Sequence, residues 1–185
     1  MNQDLKTFSV PDTFRGRPAW FVQLWWIVQS TLFACSPQFM FGWRRFILRL
    51  FGARIGRNVL IRPSAKVTFP WKVSIGDFAW IGDEVVLYSL GEIEIGDNAV
   101  VSQRSYLCTG SHDFQKKSFD IYSKKITIGQ QAWIAANVFI GPGVNIGDAC
   151  VVGACSCVFS DLPEKMICFG SPAHPIKPRI QEESK

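Results

Sequence analysis

From residue 55 onward the apolar positions recur every six residues. Aliphatic side chains fall at Ile55, Ile61 and Val67, then at Ile75, Ile81 and Leu87. They return at Ile95, Val101 and Leu107, at Ile128, Ile134 and Ile140, and at Ile146, Val152 and Val158. Four places after most of them stands a small or β-branched residue, such as Val59, Ala65, Ala79, Ala99, Ala132 or Cys150. A period of six fits neither a helix at 3.6 nor an extended strand at 2. It fits a short strand followed by a turn, and three such units close a triangular coil of about 18 residues. The aliphatic residue fills the inside of each face, and the small one sits near a corner. Ile-Gly at 55–56, 75–76, 95–96, 128–129 and 146–147 opens each group. The expected role of that glycine is to supply the turn conformation. One coil cannot bury a core alone, so the stability must come from stacking. The pattern predicts an all-β fold of about five parallel, triangular coils over residues 55–163.

The register breaks in three places. It slips by two residues at Val73-Ser74 and at Ile93-Glu94. After Leu107 the next hexad begins at Ile128 instead of 113, an insertion of 15 residues placed as a loop over 111–127. Long excursions from a regular solenoid are commonly functional. Residues 164–185 read as a closing segment.

Residues 1–54 follow a different pattern and read as an arm followed by an amphipathic, Trp-rich helical segment. The apolar run Trp20 to Ala34 has 15 residues and two Gln, short of the roughly 20 a membrane span needs. No charge occurs from Pro18 to Trp43, although Ser36-Pro37 interrupts the run, and Arg15, Arg17, Arg44, Arg45 and Arg49 flank it. Tryptophan-rich helices with basic flanks suit a membrane interface. Packing on the rest of the protein or on a neighbouring subunit explains the same residues, and both readings stand.

Composition sharpens this division. The 185 residues are 48% hydrophobic and 19% charged, enough for a real core. The net charge of +5 is lopsided: residues 1–62 hold nine Lys/Arg against two Asp/Glu, whereas residues 63–185 hold eleven against thirteen. Nucleic-acid binding is disfavoured, because the basic residues alternate with Trp and Leu as on an amphipathic helix. Six cysteines without a C-x-x-C, and no signal-peptide pattern, point to reduced thiols in a cytoplasmic protein, placed at the inner face of the membrane if the Trp-rich segment docks there. With only His112 and His174, a three-histidine zinc site within one chain is impossible, and no metal is expected.

His112 stands at the mouth of the insertion, in Thr109-Gly110-Ser111-His112-Asp113. A histidine there can act as a general base near neutral pH if a partner orients its other ring nitrogen. Asp113, Ser111 and Glu84 are candidates for that partner, and the sequence does not choose among them. On composition alone, a solvated loop histidine is the better explanation of the residue.

Three stretches add a resemblance: IGDNAVVSQRSYLCTGSH (95–112), the hexads ITIGQQAWIAANVFIGPGVNIGDACVVGACSCVFSDLP (126–163) and the closing GSPAHPIKPR (170–179). They resemble the hexapeptide-repeat acyltransferases, in the branch of the maltose and galactoside O-acetyltransferases. PAWFVQLWWIVQSTLFACSPQ, GWRRFILRLFGA and YLCTGSHDF extend the likeness, over nearly the whole chain, to the colanic-acid-type acetyltransferases of exopolysaccharide biosynthesis. The resemblance implies a left-handed parallel β-helix and a homotrimer with sites between subunits. It implies direct transfer of acetyl from acetyl-CoA to a sugar hydroxyl of a polysaccharide precursor, with His112 as base and no acylated Cys. A backbone N–H from a neighbouring coil would stabilise the oxyanion. Trp133, Ala135, Ala136, Gly153 and Ala154 match positions along the pantetheine arm, although hexad corners demand small residues anyway. Lys177 and Arg179 are candidates for the CoA phosphates. Asp83, Glu84, Tyr88, Ser89 and Asp113 are candidates for the acceptor. Two departures stand out: Phe159-Ser160 replaces a frequent Thr-Lys, and Ser89 stands where relatives often have Asn. A non-catalytic β-helix scaffold docked to membrane or a biosynthetic partner is the alternative.

Overall fold

The computed structural model describes residues 4–180. From Arg54 the chain winds through short strands that pair in parallel with those of adjacent coils, giving a three-sided prism. The first face stacks Arg54–Ile55, Val73–Ile75, Ile93–Ile95, Ile126–Ile128 and Asn145–Ile146. The second stacks Leu60–Ile61, Trp80–Ile81, Val100–Val101, Trp133–Ile134 and Val151–Val152, and the third Lys66–Val67, Val86–Tyr88, Tyr106–Cys108, Phe139–Ile140 and Cys157–Val158. All fifteen repeating aliphatic residues are buried, and each sits in register on the one below, as in Ile55, Ile75, Ile95, Ile128 and Ile146. The stack runs past five coils. Leu162 bridges Ile146, and Met166–Gly170 adds to the second face before Ala173–Pro178 pairs with it antiparallel.

The Ile-Gly glycines serve a purpose other than the expected one. None of them has a positive φ. The left-handed residues lie two places later, at Asn58, Phe78, Asn98, Gln131 and Ala149. A Cβ on Gly56, Gly96 or Gly129 would stand 2.5–2.6 Å from a backbone nitrogen of the following coil. The repeat therefore keeps glycine because the coils stack too closely for a side chain there. Asp77, Asp97 and Asp148 then accept hydrogen bonds from the backbone N–H of Arg57, Asp77 and Gln130 one coil earlier.

The hydrogen bonding has a direction. Gly56 N–H donates to Ile75 C=O, Leu60 to Ala79 and Arg62 to Ile81, and so on through the stack. The carbonyls of the first coil therefore have no coil before them to receive from. Helix α1 (Ala19–Val28), a wide turn over Gln29–Phe33 and helix α2 (Phe41–Leu50) lie across that end. Their side chains supply the missing donors. The Trp25 indole donates to Val67 O (2.8 Å), Arg44 Nε to Ile61 O (2.6 Å), Arg45 to Val59 O (2.9 Å) and Arg49 to Ile55 O (2.7 Å). Gln29 Oε1 accepts from Val67 N–H. Trp25, Phe33, Ile47, Leu48 and Phe51 join the solenoid core. The arginines that the sequence placed at a membrane or partner flank thus split: Arg44, Arg45 and Arg49 bond carbonyls of the first coil, whereas Arg15 and Arg17 are exposed away from it.

The insertion is an antiparallel hairpin, not an irregular loop. Gly110–His112 pairs with Ile121–Ser123, His112 standing opposite Ile121. Gly110 is fixed by close approach, since a Cβ there would come within 2.6 Å of the Leu90 side chain.

Candidate active site

His112 lies on the outgoing strand of this hairpin, and its Nδ1 is 2.9 Å from the carbonyl oxygen of Phe119, across the turn. A carbonyl only accepts, so Nδ1 carries the hydrogen and Nε2 keeps a lone pair. The ring stacks on Phe119, centroids 4.3 Å apart and 6° from parallel, and Phe8 of the N-terminal arm approaches to 5.7 Å. The orienting partner is therefore none of the three side chains the sequence offered. Asp113 is engaged by Gln115 N–H and Lys116, and Glu84 is paired with Arg104 at 3.0 Å.

A cavity of about 680 Å³ opens beside His112, lined by Asp113, Lys116 and Tyr122 of the hairpin and by Ser9 and Pro11 of the arm. The arm is held there by Asp4 N–H donating to Lys117 O and by Lys72, whose ammonium bonds Phe14 O and Leu90 O. Burial holds the Lys72 ammonium below the usual lysine range.

Of the five residues proposed for the acceptor, Asp113 alone shares this cavity. Ser89 requires correction: it is fully buried, and its hydroxyl is spent accepting from Phe69 N–H and donating to Phe69 O, so no sugar reaches it. Asp83 accepts from Ser64 and pairs with Arg62, buttressing a turn. Tyr88 is half-buried beside Tyr106, and burial raises both phenols above their ordinary range.

The residues proposed for the pantetheine arm do converge. Trp133, Ala135, Ala136, Gly153 and Ala154 line one groove of about 420 Å³ together with Ser102 and Gln103. The Trp133 indole donates to Ser102 Oγ (3.0 Å), which holds the ring as one wall. Gly153 is bare because Phe169 of the next turn packs over it, 2.9 Å from where a Cβ would stand. Arg179 Nη1 donates to Gln131 O and Ala149 O, pinning the tail and leaving only the rest of its fork for a phosphate. Lys177 is exposed on the closing strand opposite Ile167.

Groove and histidine occupy different corners of the prism. Residues 102–103, 135–136 and 153–154 join the second face to the third, whereas the hairpin leaves between the third face and the first. Cys108, beside the hairpin, is not an activated nucleophile. Burial raises its thiol, which donates to Gly110 O. Among the described residues no three His, Cys, Asp or Glu side chains gather as a metal site.

Phe119 O is invisible to sequence reasoning, because a backbone carbonyl leaves no residue signature. Nor did the sequence foreshadow Phe8, which reaches His112 from 104 positions away.

Comparison with known proteins matches residues 125–160 to the family described as bacterial transferase hexapeptide (six repeats). A protein of Escherichia coli (strain K12) assigned as a colanic acid biosynthesis acetyltransferase is 58% identical over 98% of this chain and 100% of its own. A maltose O-acetyltransferase from Clostridium difficile 630 superposes with a TM-score of 0.73 at 25% identity, covering 89% of this chain and 90% of that one. An acetyltransferase of Vibrio cholerae O1 biovar eltor, complexed with acetyl coenzyme A, shares the fold with a TM-score of 0.78 at 24% identity, over 92% and 89% of the two chains.

Proposed function

Because the chain belongs to the hexapeptide-repeat acetyltransferases, we propose that it moves an acetyl group from acetyl-CoA to a sugar hydroxyl of a polysaccharide precursor, with His112 as the general base. The observation that carries this reading is the Nδ1–Phe119 O hydrogen bond. It fixes the tautomer in which Nε2 can take a proton, before any substrate arrives. As Nε2 accepts the hydroxyl proton, the sugar oxygen bonds to the acetyl carbon and the C–S bond breaks. The departing thiolate then takes the proton back from the imidazolium. No covalent acyl-enzyme is required, in keeping with the raised Cys108 thiol.

The pantetheine groove suits an extended thioester arm: narrow, walled by Trp133 and floored by residues small enough for backbone amides to be reached. Since the groove and His112 lie at different corners, we take the working unit to be a homotrimer in which the hairpin of one subunit faces the groove of the next. The cavity beside His112, with Asp113, Lys116 and Ser9 on its walls, is where the acceptor sugar would sit. The cytoplasm is the matching compartment.

Titration calorimetry with acetyl-CoA, followed by turnover on sugar acceptors, tests this. His112→Ala should retain the wild-type affinity for CoA while kcat falls at least 100-fold. Near-normal turnover would remove His112 from the chemistry. Absence of CoA binding up to millimolar concentration would favour the scaffold reading.

A further inference from the structure

The helical cap has two faces, and only the inner one is accounted for. The outer face carries Trp20, Leu24, Trp26, Ile27, Leu32 and Phe39, all exposed, with Phe39 at 80% and Trp20 at 67%. Scattered exposed apolar residues need no explanation, but six within 20 positions on one cap form a patch.

Apart from the exposed amide of Gln23, the polar groups of the same face are already satisfied. Ser30 Oγ donates to Trp26 O (2.8 Å) and Thr31 Oγ1 to Ile27 O (2.6 Å), each folding a hydroxyl back onto its own helix. The Trp43 indole donates to Leu32 O (3.0 Å). Such groups enter an apolar medium at low cost, because no hydrogen bond is lost. No charged residue occurs from Pro18 to Trp43, and the nearest cations on the N-terminal side, Arg15 and Arg17, are exposed at the rim.

We propose that this outer cap face docks on an anionic lipid bilayer, with the Trp20–Ile27 side of α1 lying in the headgroup region and Arg15 and Arg17 meeting lipid phosphates. Three observations favour lipid over a protein partner or a second copy. The face mixes tryptophan with aliphatic residues, a composition suited to the bilayer interface. It is free of charge from Pro18 to Trp43, with exposed cations at Arg15 and Arg17 beside it, the arrangement of an interfacial helix. And it closes one end of the stack. In a cyclic assembly whose axis runs along the coils, every subunit would present this face on the same side, so weak single contacts would combine. Docking would be peripheral, since among the described residues no helix is long and apolar enough to cross a membrane. The inference stands apart from the acetyl transfer reading, because it uses none of the residues assigned to that reaction.

The test is co-sedimentation of the full chain with vesicles of phosphatidylcholine alone and with added phosphatidylglycerol, read together with tryptophan emission. The expected result is binding to the anionic vesicles with a blue shift, and weaker binding to the neutral ones. Trp20→Ser with Ile27→Ser should lower the partition coefficient at least tenfold. Arg15→Glu with Arg17→Glu should lower it several-fold and remove most of its salt dependence. Circular dichroism and acetyl-CoA calorimetry on the same variants confirm that fold and groove are intact, so loss of docking is separable from loss of the acetyltransferase reading. Failure of the wild-type chain to bind anionic vesicles would overturn the proposal. So would unchanged binding by the Trp20/Ile27 variant, or its dissociation to a smaller oligomer, which would make the face a subunit contact.

Discussion

Arg44 is a fully buried arginine with no carboxylate among its hydrogen-bond partners. Its guanidinium donates from Nε to Ile61 O (2.6 Å), from Nη1 to Ser36 Oγ (2.8 Å) and Pro37 O (2.9 Å), and from Nη2 to Gln38 O (2.6 Å). It thus ties the open edge of the first coil to the linker between the helices. Replacement by Ala strands the buried Ile61 carbonyl at a cost of about 1–3 kcal/mol, while Ser36 Oγ loses one donor but keeps its own bond to Phe33 O. It also removes two buried methylenes of the stem, Cγ and Cδ, at about 0.8 kcal/mol apiece. The relieved desolvation of the charge, which also holds its pKa below the ordinary arginine range, offsets part of this. The net expectation is a loss of about 2–4 kcal/mol, a large share of the 5–15 kcal/mol typical of a domain. Urea unfolding followed by far-UV circular dichroism reads it as a lower midpoint. Arg44→Lys should lose most of the same energy, because one ammonium cannot serve acceptors spread around a planar fork. A loss under about 1 kcal/mol for Arg44→Ala would refute the assignment of Arg44 as an edge cap.

Other outcomes follow from the same geometry. Gly96→Ala should destabilise by about 1–3 kcal/mol through overpacking against the Gln130 turn, with a lower Tm and unchanged CoA affinity per folded molecule; wild-type stability would disprove the close-stacking account of the Ile-Gly repeat. If, as proposed, the hairpin of one subunit serves the groove of the next in a homotrimer, co-expressing His112→Ala with a groove-blocked Ala136→Trp should restore about a quarter of wild-type activity, because one subunit contact in four then joins an intact histidine to an intact groove; no recovery would place both within one chain. Burial pushes the Cys150 thiol up to about 12, whereas an unfolded thiol titrates near about 8.5. The folded chain therefore holds the extra proton, and Cys150 alone should lower stability by about 1.4 kcal/mol per pH unit as pH rises from about 8.5 towards 12, with the raised Cys108 and Cys168 thiols steepening the fall, which thermal melts across that range would follow.

The repeat was legible because a solenoid writes its core into a fixed period. Each aliphatic hexad residue, from Ile55 to Val158, needs only its own face and the residue stacked on it to be placed. The groove was partly legible for the same reason: Ala135, Ala136 and Gly153 sit at positions the period fixes. What escaped were long-range and backbone terms of the structure. The carbonyl of Phe119 orients His112, yet any residue at 119 would have presented one. Ser89 stands one coil before His112, where relatives often carry Asn, yet its side chain turns inward to bond the Phe69 backbone. The charge asymmetry suggested an outside partner, and half its meaning lay inside, where Arg44, Arg45 and Arg49 meet carbonyls of the first coil.

The hexad stack is also a ruler. The hairpin bearing His112 departs from the third coil, two layers from the helical cap. At a layer spacing of roughly 4.8 Å, that sets the base about 10 Å from the capped end. The spacing is quantised, because a whole coil can be added or removed while the close-stacking glycines and inward aliphatics keep their register. An engineered coil between the second and third should raise the hairpin by about 4.8 Å without disturbing the cap. The groove, built from layers three to five, would rise with it. Reach from a docked surface to a reacting hydroxyl is thereby a length counted in layers, adjustable separately from the chemistry.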